Sequence, residues 1–265
     1  MKNKQPEKKR EIEECKLCGE ASELQNSHII PEFLYTKIYT KKHNFLPINS
    51  STNNKLKFEQ KGYREYMLCK LCETKISRWE SYLKKTLEEF VEPTNSNINI
   101  IRIEGFQLVS GLNYLFLKLA IVSISWRLSI ACAAQFSEYK LGLYQYKLRE
   151  VLQNPSNLAL SSYPTSISKA LFNGVFYSEV LSLIGRGRFG NNYIMQSIVL
   201  NGFMVDIKLM EGKPISEGIK LLSLNEKGTL IIANESYDKL ISNFDSFKKK
   251  TNDIDVIEFF AKYND

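Results

Sequence analysis

Between Glu73 and Glu92 the chain reads ETKISRWESYLKKTLEEFVE, with apolar residues at Ile76, Trp79, Leu83, Leu87 and Phe90–Val91. That spacing puts one apolar stripe on a helix, and Pro93 ends it. Residues 107–135 are apolar on nearly every side and predict one long buried helix, the hydrophobic centre of a second region. SEYKLGLYQYKLREVLQ (137–153) predicts a more polar helix that stops at Asn154-Pro155, and another helix is expected over 166–184. The pattern then changes. NYIMQSIVL and FMVDIKLM flank Asn201-Gly202, the dipeptide favoured in a type I′ hairpin turn. GTLIIAN (228–234) offers a third strand, and two amphipathic segments (236–250 and 253–263) follow. NSNINIIRI, just after Pro93, reads as a linker or short strand at a module boundary. LIGRGRFGNN (183–192) reads as a mobile glycine-rich turn before the hairpin. It lacks phosphate-loop spacing, although Arg186 and Arg188 are candidate anion contacts.

These elements predict an α+β fold divided into a charged N-terminal segment (1–14), a small module (15–92) and a larger, mainly helical region with an antiparallel β-hairpin (93–265). Hydrophobic content of 43% in 265 residues is enough for a real core. The net charge of +7 is uneven: residues 36–70 hold eight Lys and Arg against two Asp and Glu. A basic module suits an anionic partner, nucleic acid first. The opening MKNKQPEKKREIEE has no apolar stretch behind it and predicts no secretory signal. Lys118 and Arg127 interrupt the apolar run from Leu112 to Ala134, which favours a buried helix over a membrane span. The buried Arg127 then needs a carboxylate or carbonyl partner. A cytoplasmic location is expected, where thiols stay reduced.

Four of the five cysteines form Cys15-x2-Cys18 and Cys69-x2-Cys72. Each pair lets a tight turn present two thiolates to one ion, and two pairs complete a tetrahedral, structural Zn2+ site. Cys132 falls in the apolar helix and reads as a packed thiol. The 50 residues between the knuckles start with SHIIPEFLYTKIYTKKH and return at REYMLCKLC. A knuckle, a β segment and a second knuckle opening a helix form a treble-clef arrangement.

In that order, CKLC, SHIIP and MLCKLCE resemble the HNH (ββα-metal) endonuclease family over residues 15 to about 91. The resemblance implies a nuclease, acting on DNA more than RNA, in a setting such as bacterial defence or a mobile element. His28 matches the general base, a task that suits an imidazole titrating near neutral pH. The two positions that help hold a catalytic Mg2+ or Mn2+ fall on Ser27 and Glu73. Serine is a poor ligand, so Glu73 is the expected hard-oxygen donor. Glu80 lies on the same face of the helix, as a solvated residue or a support for the site. Asn44 or Asn49 matches the residue that orients the base, and His43 reads as surface. Lys41, Lys42, Lys55, Lys57, Lys61 and Arg64 are candidate phosphate contacts, which add salt-dependent affinity without base specificity. The region after residue 92 would position the module, form a homodimer or meet a partner protein. Two other functions fit the same residues: a non-catalytic nucleic-acid-binding module, and a zinc-scaffolded interaction subunit.

Overall fold

The structure is a computed structural model, described here for residues 12–45, 59–94, 97–156, 161–189, 193–209 and 215–236. Asn49, Lys55, Lys57, most of the charged N-terminal segment and the two C-terminal amphipathic segments beyond Ser236 lie outside these residues. The chain is α+β. It begins with a small antiparallel sheet in the order β1 (Ile12–Glu14), β2 (Ala21–His28) and β3 (Arg64–Cys69). One turn of helix, α1 (Glu32–Tyr35), leaves β2. Helix α2 (Lys70–Val91) continues directly from β3. It buries Ile76, Trp79, Leu83, Leu87 and Phe90, the stripe read from the sequence.

Beyond Pro93 a β-hairpin, β4 (Asn99–Ile103) and β5 (Phe106–Ser110), precedes the apolar helix α3 (Tyr114–Ile130). Helix α3 is therefore shorter than the expected 107–135. The Asn113 side chain accepts the Phe116 amide at 3.0 Å, an N-cap that starts the helix there, and Gly111 with φ 80° turns the chain out of β5. Fourteen of its residues are buried, including Lys118 and Arg127, as an all-round apolar helix requires. Among the described residues no helix is long and apolar enough to cross a membrane.

The 137–153 segment divides into a 3-10 turn (Ala134–Tyr139) and α4 (Tyr144–Gln153), separated at Gly142 with φ 57°. Helix α4 stops at Asn154 as expected. The helix expected over 166–184 is instead three strands, β6 (Thr165–Phe172), β7 (Val175–Phe176) and the start of β8 (Ser182–Phe189). The glycine-rich segment expected as a mobile turn supplies most of β8. The second region is consequently built on a sheet, not mainly on helices. β9 (Tyr193–Leu200) and β10 (Phe203–Leu209) form the expected hairpin, with Asn201 and Gly202 both at positive φ (49° and 80°). A short helix, α5 (Glu217–Leu222), leads to β11 (Leu230–Ser236).

The large sheet runs β4-β5-β11-β6-β10-β9-β8, with β7 beside β6. Its one parallel pair is β11 with β6; the other neighbours are antiparallel. Helix α3 packs against α2, α4 and β10, and one continuous cluster of buried side chains runs from Cys15 and Leu17 through α2 and α3 to Leu230 and Ile232.

Candidate metal centre and histidine site

Each cysteine pair sits where a strand ends. After β1 the chain turns back on itself: Cys15 N donates to Glu20 O (2.9 Å), and Gly19 N donates to Cys15 O (2.8 Å). Gly19 takes φ 86° to do so, a value that suits a residue without Cβ. The second pair uses the step from β3 into α2. Cys69 is the N-cap of α2, with Cys72 N 3.5 Å from its Sγ, and Cys69 N reaches Cys15 Sγ at 3.2 Å. The four Sγ atoms lie within 4.8 Å of one another, and no disulfide joins them. Four reduced thiols at that spacing, three of them buried, fit a closed tetrahedral zinc site.

The electrostatics are divided. Burial alone would push the Cys15 thiol up, but hydrogen bonds from the amides of Cys69, Cys18 and Leu17 outweigh it and bring the thiol to about 7. Burial pushes the thiols of Cys18 and Cys72 up. A bound cation would have to displace those protons. Helix α4 closes the centre from outside: Arg149 Nε and Gln153 Nε2 donate to Leu17 O at 2.8 and 2.6 Å. From α2, Lys75 Nζ donates to the carbonyls of Leu152 (2.9 Å) and Gln153 (3.3 Å), where a cation offsets the negative end of α4.

The SHIIP segment lies at the other end of β2. Ile29 and Ile30 are buried in the core, and Ile29 N donates to Tyr63 O at 2.9 Å. Pro31 then opens α1, which brings Glu32 under His28. His28 Nε2 is 2.7 Å from Glu32 Oε2. At that distance the carboxylate occupies the Nε2 side of the ring. Glu32 is held by Tyr39, whose hydroxyl donates to Oε1 at 2.9 Å, and by Arg64 NH2 at 3.7 Å. Arg64 stands opposite His28 in the β2–β3 register. Burial is the largest influence on the imidazole and holds it below its usual range; Arg64 adds to this, and Glu32 opposes it.

Arg127 locks the backbone of His28. Its NH1 donates to His28 O at 2.6 Å, its Nε to Ser123 O at 3.3 Å, and its NH2 pairs with Glu80. The carboxylate and carbonyl partners expected for a buried Arg127 are both present. Glu80, expected foremost as a solvated helix residue, is instead bound to α3.

Ser27 and Glu73 form a different pair. Successive strand residues face opposite sides, and Ser27, fully buried, donates to Glu73 Oε2 at 2.6 Å. Two separate polar pairs therefore stand at the end of β2, Ser27–Glu73 and His28–Glu32. Among the described residues the four cysteines are the one group of three or more ligands that could hold a metal. Glu73 with its carboxylate engaged by Ser27 does not amount to a prebuilt catalytic cation centre.

Lys41, Lys42, Lys61 and Arg64 are exposed, as is His43. Asn44 bonds within its own turn, through its side chain to Thr40 Oγ1 and through its carbonyl to Thr40 N at 2.7 Å. Cys132 lies just past α3 and is exposed, not packed, with Lys16 Nζ 3.8 Å from its Sγ. Sequence reasoning missed Glu32 and Tyr39. The proline three residues after His28 was the available signal, because a turn there returns the next side chain to the histidine.

An α+β chain with a four-cysteine centre and a positioned histidine is the class these observations define. Comparison with protein-family models, curated proteins and solved structures finds no match to this chain.

Proposed function

We propose that residues 15–91 form an HNH-like treble-clef nuclease module in which His28 is the general base for phosphodiester hydrolysis. One observation carries this reading. A half-buried imidazole, paired with a carboxylate, is fixed through its own carbonyl by a buried arginine, with an exposed arginine beside the pair. Such over-determined placement is what general-base catalysis needs. The strand–strand–helix order with a cysteine pair at each end supports the treble clef, with Zn2+ as its structural ion.

In this reading His28, kept neutral by burial, takes the proton of the attacking water. Glu32 steadies the imidazolium that forms, while Arg64 and Lys61 hold the phosphate. DNA is the leading substrate. The Mg2+ or Mn2+ expected from the resemblance is left with Glu73 as its donor.

The test is cleavage of plasmid and single-stranded substrates by the zinc-loaded chain, with added Mg2+, with added Mn2+ and with no added divalent cation separately. His28→Ala should lose cleavage by on the order of 100-fold or more, the usual scale for a general base. Equal cleavage by His28→Ala would exclude His28 as the base. A second reading, nucleic-acid binding without cleavage, is favoured by the Ser27–Glu73 bond, which ties up the remaining carboxylate. Salt-dependent binding with no cleavage under any of the three conditions selects it.

A further inference from the structure

The sheet face turned away from α3 carries a polar row, buried at Ser197 and Ser223 and partly exposed at Ser166 and Asp206, that the histidine site does not use. Ser166 on β6 lies opposite Asp206 on β10, which lies opposite Ser197 on β9. On its other side Ser166 bridges Ser223. Residues directly opposite in a ladder share a face, so four polar side chains cross the sheet in line. Ser197 Oγ donates to Asp206 Oδ1 at 2.5 Å. Lys208, two residues along β10 and only 8% exposed, donates to Ser166 Oγ at 2.8 Å. Ser223, 7% exposed, has a buried hydroxyl with no partner among the described residues. Buried hydroxyls are normally satisfied, so an unpaired one beside a lysine-bound serine points to a group from outside the chain.

We propose that Ser166 and Lys208 form a nucleophile–base pair, a second reactive centre for acyl-type electrophiles, with Ser223 as hydrogen-bond donor to the oxyanion. A lysine serves as base only when it can lose its proton. Burial holds Lys208 below its usual range against the opposing carboxylates of Asp206 and Glu235, while Lys118 of α3 stands near it as a second buried cation. In the reaction the Ser166 hydroxyl proton passes to the neutral Lys208 amine as the Oγ–carbon bond forms. The carbonyl electron pair moves onto oxygen, where Ser223 donates. The leaving group then departs with the proton from Lys208, and water releases the acyl group from Ser166.

An alkyl fluorophosphonate tests the centre directly. Attack forms the Oγ–P bond, breaks P–F and releases fluoride, leaving an adduct that mass spectrometry locates. The full zinc-loaded chain should take up one adduct, at Ser166, and Ser166→Ala should take up none. Lys208→Arg keeps a charged donor but never deprotonates, so it should label slower by on the order of 100-fold. Ser223→Ala loses no side-chain hydrogen bond among the described residues, and its labelling should slow comparably while its melting temperature stays unchanged. No adduct on the wild-type chain, an adduct elsewhere, or wild-type labelling rates in both Lys208→Arg and Ser223→Ala would overturn the proposal.

Discussion

Arg127 uses one guanidinium for three acceptors on different parts of the chain: the His28 carbonyl, the Glu80 carboxylate and the Ser123 carbonyl. It is 1% exposed, so its charge has no recourse to water, while the Glu80 side chain is 19% exposed. Arg127→Met would leave the Glu80 carboxylate facing a dry neighbour, at a cost of about 3–5 kcal/mol in urea denaturation. Replacing both charges, as Arg127→Met with Glu80→Leu, should recover much of that loss, because the cost lies in the orphaned charge. A loss under about 1 kcal/mol for the single variant, the scale of an exposed pair, would refute the latch. His28 responds to pH for a related reason. Its folded pKa lies below the ordinary 6.5, so the unfolded chain takes up the proton first as pH falls. Stability from the neutral imidazole is complete above about 6.5 and is lost as pH falls below it, until the folded form also protonates. Imidazole titration by NMR should give His28 a midpoint below 6.5, and His28→Gln should flatten the acid limb of the stability curve. A midpoint above 6.5 would mean that Glu32 outweighs burial.

The β9–β10 hairpin turns on Gly202, where two penalties coincide. Its φ of 80° is left-handed, and an added Cβ would meet Tyr177 O at 2.3 Å, a backbone atom that cannot swing aside. Gly202 N also donates to Val180 O at 2.9 Å, so the turn is fastened to its surroundings. Gly105, at φ 82°, has nothing within 4 Å of the same Cβ. Gly105→Ala should therefore cost only the left-handed penalty, about 1–2 kcal/mol, and Gly202→Ala clearly more. Melting temperatures of the two variants compare them, and equal losses would show that the Tyr177 contact gives way. The hairpin was legible because Asn-Gly carries its own turn chemistry. The same dipeptide at Asn173-Gly174, again with both φ positive (50° and 80°), turns β6 into β7. There a competing signal hid it: Ile167, Ala170 and Leu171 fall at helical spacing. β6 lies between β11 and β10 and buries residues on both faces, from Ile167 to Ser168 and Ala170, and a strand buried on both faces loses the period of two.

At the scale of the molecule, the four-cysteine centre is not an appendage. The cysteine spacing made the centre readable locally, but the contacts that join it to the sheet-bearing region span up to 136 residues, as from Gln153 to Leu17. Their partners share no local pattern, so sequence alone could assign Arg127 a carboxylate or carbonyl but not His28 or Glu80. Glu65 of β3 accepts the Cys132 and Ala133 amides at 2.8 and 3.0 Å, and α2 lies along α3 within the same continuous core. Structural zinc contributes folding free energy outright, about 10–16 kcal/mol in small zinc peptides, and zinc held by these four cysteines would have that contribution coupled to everything α3 and α4 touch. Metal analysis should find one zinc per chain, and calorimetry of the zinc-loaded protein a single cooperative transition. Chelation frees both knuckles, which removes the acceptor that Arg149 and Gln153 hold at Leu17 and loosens the β3–α2 corner that carries Glu65, Glu73 and Glu80. The transition of the whole chain, sheet included, should then move to lower temperature, and adding zinc back should restore it. A chelated protein whose sheet melts at its original temperature, with only a small transition lost, would show instead that the module folds apart from the region it contacts.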